Sequence, residues 1–62
     1  MRDHFFSHLK TEGFEYIQNQ YVKTSDEYTE VYFATENEGE IRHQMKKPDG
    51  TIYEDETITL TF

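Results

Sequence analysis

At Gly13 the spacing of the apolar residues changes, and no other feature limits the possible folds of this chain so strongly. Before it, Phe5, Phe6 and Leu9 fall at i, i+1 and i+4, the apolar stripe of a helix. After it, apolar and polar residues alternate, as they do in strands with one buried face. The stretch "DHFFSHLKTEG" therefore predicts a short amphipathic helix that Asp3 caps and that ends near Glu12, with Gly13 as a left-handed stop. A helix of about ten residues is marginal alone, so its stripe must dock on the strands formed by the rest of the chain.

Four strands are expected next. "FEYIQNQYV" is rich in aromatic and β-branched residues and reads as one strand, with "KTSDE" as the turn after it. "YTEVYFAT" sets Thr29, Val31 and Phe33 on one face and Tyr28, Glu30 and Tyr32 on the other. "ENEG" supplies Asn37 and Gly39 for a reversal, and "EIRHQMK" then alternates Ile41, His43 and Met45 against Glu40, Arg42 and Gln44. "KPDGT" is the best local signal: Pro48 presets φ, Asp49 bonds locally, and Gly50 accepts a positive φ, which together predict a hairpin. The tail "TIYEDETITLTF" brings Ile58, Leu60 and Phe62 to one face, and Glu54, Asp55 and Glu56 interrupt it with a bulge or a break. The expected architecture is α+β, a short N-terminal helix followed by a four-stranded antiparallel β-meander, in a single small acidic domain of residues 1–62.

The core has to be thin. A chain of 62 residues buries only about 60% of the surface its unfolded form exposes. The aliphatic supply is Leu9, Ile17, Val22, Val31, Ile41, Ile52, Ile58 and Leu60, so five Phe and five Tyr must provide much of the buried area. Cysteine is absent, which removes disulfides and thiolate zinc sites and leaves packing, with or without self-association, as the source of stability. No stretch approaches the roughly 20 apolar residues of a bilayer span, and "MRDHFFSHLK" lacks the apolar run of a signal peptide, so a cytoplasmic protein is expected.

Few residues point to catalysis. His4 and His8 stand four apart on the predicted helix with Glu12 one turn on, a spacing that can hold a metal. The Glu that follows the first His in a zinc-protease helix is missing, so two surface histidines are the preferred reading and no metal is expected. His43 lies at an apolar position between Ile41 and Met45, where a cross-strand acid would orient it as a general base. A chain this short has little room for a substrate pocket, and its three glycines are isolated rather than a phosphate cradle. The expectation is a protein that is not an enzyme and carries no cofactor.

Charge carries the functional signal. Thirteen acids against six bases give a formal charge of −7, which repels nucleic-acid phosphate and anionic lipid. Arg42, Lys46 and Lys47 form only one small basic spot. Between Thr24 and Ile41 stand Asp26, Glu27, Glu30, Glu36, Glu38 and Glu40 with no Lys or Arg among them. Carboxylates at i and i+2 on a strand are about 6.6 Å apart, close to two phosphate steps of a nucleic-acid strand. Tyr28 and Tyr32 beside Glu30 supply rigid contact area of the kind that anchors interfaces. These eight residues are the candidate contacts for a basic protein surface, that of a nucleic-acid-handling enzyme.

In size, acidity and helix-then-hairpin pattern the chain resembles the small inhibitors that phages and mobile elements direct against host nucleic-acid enzymes, such as anti-CRISPR and anti-restriction proteins. The resemblance implies a stoichiometric inhibitor that mimics nucleic acid, bound neither to nucleic acid itself nor to membrane. The alternative is a non-catalytic accessory module that uses an edge strand or aromatic surface to form a homodimer or join a larger complex.

Overall fold

The computed structural model describes residues 2–60. Helix α1 (Arg2–Thr11) is followed by strands β1 (Glu15–Ile17), β2 (Gln20–Thr24), β3 (Thr29–Ala34), β4 (Glu40–Lys46) and β5 (Ile52–Thr59). The strands form one antiparallel sheet in chain order, β1-β2-β3-β4-β5. The α+β class holds, and the strand number is corrected from four to five.

The correction comes from "FEYIQNQYV". Gln18 and Asn19 both take positive φ, 50° and 66°, and Ile17 faces Gln20 across the reversal. Two residues in the left-handed region make the tight hairpin turn whose twist matches its strands, so the stretch folds into β1 and β2. Asn accepts this conformation readily whereas Gln does not, and the turn therefore lacks the usual Asn-Gly or Asp-Gly signature.

The helix ends as expected from Gly13. With φ at +99°, Gly13 donates its amide to the Lys10 carbonyl at 3.2 Å, and Phe14 donates to the Leu9 carbonyl at 3.0 Å. This pair of bonds satisfies the last carbonyls of the helix and turns the chain toward the sheet. It also places Leu9 and Phe14 side by side in the core.

The "KPDGT" hairpin forms too. Gly50, at φ +94°, donates to the Lys47 carbonyl at 2.8 Å, and the Asp49 carboxylate accepts the Thr51 amide at 2.9 Å. The irregularity expected near the acidic triplet falls beside it: Met45 faces Glu54 but Lys46 faces Ile52, which leaves Tyr53 as the extra residue. Glu54, Asp55 and Glu56 themselves continue the strand opposite Met45, Gln44 and His43. Of the apolar residues expected on one face of the tail, Phe62 lies outside the described residues.

Register and alternation settle which face the helix covers. Tyr16, Tyr21, Tyr32, His43 and Glu56 are successive cross-strand partners, so they share one face and cross the sheet in a row. The helix packs there, with Phe6 stacked on Tyr21 at 4.7 Å and Phe5 edge-on to Tyr32 at 5.4 Å between centroids. Leu9, Phe14 and Tyr21 are buried at the centre of this cluster. Such aromatic pairs add about 0.5–1.5 kcal/mol each beyond their buried area, which makes up for the scarcity of aliphatic residues. Ile41, fully buried, extends the same face between Ala34 and Ile58, while Val31 is buried on the opposite face between Val22 and Gln44.

Candidate functional site

The two turns flanking β3 hold most of the candidate contacts, and they lie at opposite ends of the strand. Six residues at about 3.3 Å each separate them by roughly 20 Å. At one end, Ser25 organises the β2–β3 turn: its hydroxyl oxygen accepts the amides of Glu27 and Tyr28 at 3.3 Å, which leaves Asp26 and Glu27 exposed. At the other, the Thr35 hydroxyl accepts the Asn37 amide at 3.1 Å, and the Asn37 side chain donates to the Glu40 carboxylate at 3.2 Å. Glu36 and Glu38 project from that turn, and Glu40 opens β4 half-buried.

The structure therefore brings Asp26, Glu27 and Tyr28 together, and separately Glu36, Glu38 and Glu40. Glu30 and Tyr32 lie between the groups on the helix-covered face. Tyr32 packs against Phe5, Phe14 and His43, and its phenol donates to Glu30 at 3.5 Å. Burial first, then the charge of Glu30, pushes its phenol above the ordinary tyrosine range.

The two ends differ in their cations. Register places Lys46 opposite Thr29, so the Lys46–Lys47 step shares an end of the sheet with Asp26 and Glu27. The "TENEGE" end has no such neighbour among the described side chains. Its nearest strand cation, Arg42, sits on the sheet face away from the helix and donates through Nε and Nη2 to both carboxylate oxygens of Asp55, the second at 2.8 Å. That fork holds Asp55 below the usual carboxylate range. Lys23 is engaged elsewhere, donating to the Glu12 carbonyl at 3.0 Å over the ring of Phe14.

His43 does meet a cross-strand acid, and a second one besides. Its Nδ1 lies 3.1 Å from Glu56 and its Nε2 2.9 Å from Glu30, while its ring stacks on Tyr32 at 4.4 Å. An imidazolium donates to both carboxylates, whereas the neutral ring donates to one. The acids approach opposite ring nitrogens, so they tie β3, β4 and β5 together through one buried side chain rather than converge on a point. Sequence pattern could place Glu56 only approximately, because its pairing with His43 depends on the bulge at Tyr53. Glu30 reaches His43 diagonally, from the position across from Met45.

His8 pairs with Glu12 at 3.4 Å on the exposed side of α1. Among the described residues no three His, Asp or Glu side chains are gathered as a metal site. Nor is any helix there long and apolar enough to cross a membrane. Compared with protein-family models, with curated proteins and with solved structures, the chain matches none.

Proposed function

We propose that this chain is a small acidic binding protein that occupies a basic, nucleic-acid-binding site on a cytoplasmic partner enzyme and inhibits or regulates it by nucleic-acid mimicry. The observation that carries this reading is the "TENEGE" end of the sheet. Glu36 and Glu38 are exposed there, no described lysine or arginine neutralises them, and the nearest strand cation, Arg42, is engaged in an ion pair with Asp55. Local charge of one sign on a chain of net −7 attracts a basic surface over roughly the 8–10 Å of the Debye length and accelerates encounter. Asp26, Glu27 and Tyr28 form a second contact group, partly offset by Lys46 and Lys47. Glu30 and Tyr32 act by holding β3 in place between the two groups.

The reading is tested by capture from lysate with the chain as bait, washed at low and then high salt. Mimicry requires a basic nucleic-acid enzyme that salt releases and that a Glu36→Lys, Glu38→Lys double variant no longer retains. A partner indifferent to both changes would overturn it.

Exposed apolar residues favour a second reading, self-association. Tyr16 and Ile17 on edge strand β1, with Ile52 and Tyr53 on edge strand β5, are each about half exposed. A concentration-dependent dimer that protects these residues from exchange or labelling would favour an accessory module instead.

A further inference from the structure

A cleft of about 290 Å³ opens at the same end of the sheet as "TENEGE", lined by Asp3, Phe6, Tyr16, Asn19, Tyr21 and Ala34. Its walls come from the start of α1, the β1–β2 hairpin and the last residue of β3. Ala34 leads directly into the turn that carries Glu36 and Glu38, so cleft and acidic turn are neighbours in the chain as well as in space. The volume is at the lower limit of ligand pockets, suited to a side chain rather than a whole metabolite.

Its chemistry selects a cation. Three aromatic rings meet there, with Tyr21 between Phe6 and Tyr16 at 4.7 Å from each. Aromatic faces attract cations, and Tyr21 already has the Lys10 ammonium 6.0 Å from its centroid. Tyr16 is 57% exposed and has no cation over its ring among the described residues. Its hydroxyl donates to Asn19 at 3.2 Å, which fixes the ring at the cleft mouth. Asp3, from the start of α1, adds a carboxylate to the lining. A planar guanidinium both stacks on an aromatic ring and donates a fork to a carboxylate, whereas an ammonium does neither as well.

We propose that this cleft receives an arginine side chain of the basic partner, with Tyr16 as the stacking platform and Asp3 as the carboxylate that pairs with the guanidinium. The proposal rests on the acidic-binder reading and names its anchor: Glu36 and Glu38 steer the partner electrostatically, and the cleft holds one residue of it. Central, partly enclosed aromatic anchors within a polar rim are the usual arrangement of binding hot spots, and arginine is among their commonest occupants.

The test uses the full chain, isotope-labelled, and two capped probes: N-acetyl-arginine methylamide and its neutral isostere N-acetyl-citrulline methylamide. The arginine probe is expected to shift the ring signals of Tyr16 and Tyr21 saturably, with the citrulline probe several-fold weaker. Tyr16→Leu, at an exposed position on a short edge strand, is expected to weaken the arginine probe about tenfold, and Asp3→Asn to weaken it as well. Equal response to both probes, or undiminished binding by Tyr16→Leu, would overturn the proposal. The comparison of probes requires no variant and stands even if one misfolds. Salt-sensitive capture of a basic enzyme that Tyr16→Leu leaves unchanged would remove the cleft from the interface and leave mimicry standing. Selective arginine binding without any salt-sensitive partner would do the reverse.

Discussion

His43 and Tyr32 show how far single residues carry this fold. His43 is the one buried polar residue among the described set, and its two carboxylate partners are unequal: Glu30 is closer and much less exposed than Glu56. Replacing His43 by Ala removes the ring that both acids contact at the centre of three strands, and the expected loss is about 1–3 kcal/mol in urea unfolding. Glu30→Gln is expected to cost more than Glu56→Gln, because solvent replaces the lost partner of an exposed carboxylate more easily; equal midpoints for the two variants would contradict this account. Tyr32 gives a signed pH dependence. Its folded phenol titrates above the unfolded value near 10, so its stabilising effect is complete below pH 10 and is lost as pH rises through the folded value. Ultraviolet titration is expected to show a late tyrosine ionisation, and Tyr32→Phe is expected to remove that phase. At the acid end the sign reverses. Asp55, lowered by the Arg42 fork, and Asp49, lowered by the Thr51 amide, contribute above the unfolded carboxylate pKa of about 4 and lose that contribution as pH falls through their folded values.

At the scale of elements, the sequence was most legible where a residue type has one conformational use. Gly13 and Gly50 announced a helix stop and a hairpin because positive φ suits glycine and few other residues, and both features form. The alternation in "YTEVYFAT" and "EIRHQMK" assigned each residue to its correct face, although not the face on which the helix lies. That choice depends on long-range packing: Tyr and Thr occupy both sides, and only the docking of Phe5 and Phe6 on Tyr32 and Tyr21 decides it. The β1–β2 turn was hidden for the opposite reason, since Gln18 takes a conformation its side chain does not favour. Gln18→Asn with Asn19→Gly installs the preferred turn pair, relieves the left-handed strain at two positions, and is expected to raise stability by about 0.5–1 kcal/mol. Thermal unfolding measures it, and an unchanged or lower midpoint would mean that the Tyr16–Asn19 hydrogen bond, which the change removes, matters more than the backbone.

Over the whole molecule, the acidic candidates were visible as a run in the sequence but not as a surface. Folding splits the run between two ends of β3, turns Glu30 inward to His43, and brings Asp3 and Tyr16, distant in the chain, beside the "TENEGE" end. Only topology could supply that last juxtaposition. The same charge distribution decides how copies of the chain meet. Strand β5 is an open edge of eight residues whose outer backbone groups are available for another strand. Antiparallel pairing of two copies centred on Asp55 would set Asp55 against Asp55 and each Glu54 against a Glu56. Like charges directly opposite destabilise a ladder, so the triplet acts against edge-to-edge dimers while leaving the edge attractive to a basic strand. Wild-type protein is therefore expected to sediment as a monomer at low salt, and a Glu54→Thr, Glu56→Gln double variant to form a concentration-dependent dimer. Wild-type dimerisation that strengthens as salt is lowered would contradict repulsion at β5 and transfer weight to the accessory-module reading. A double variant that stays monomeric at every concentration would instead show that the bulge at Tyr53, rather than charge, protects the edge.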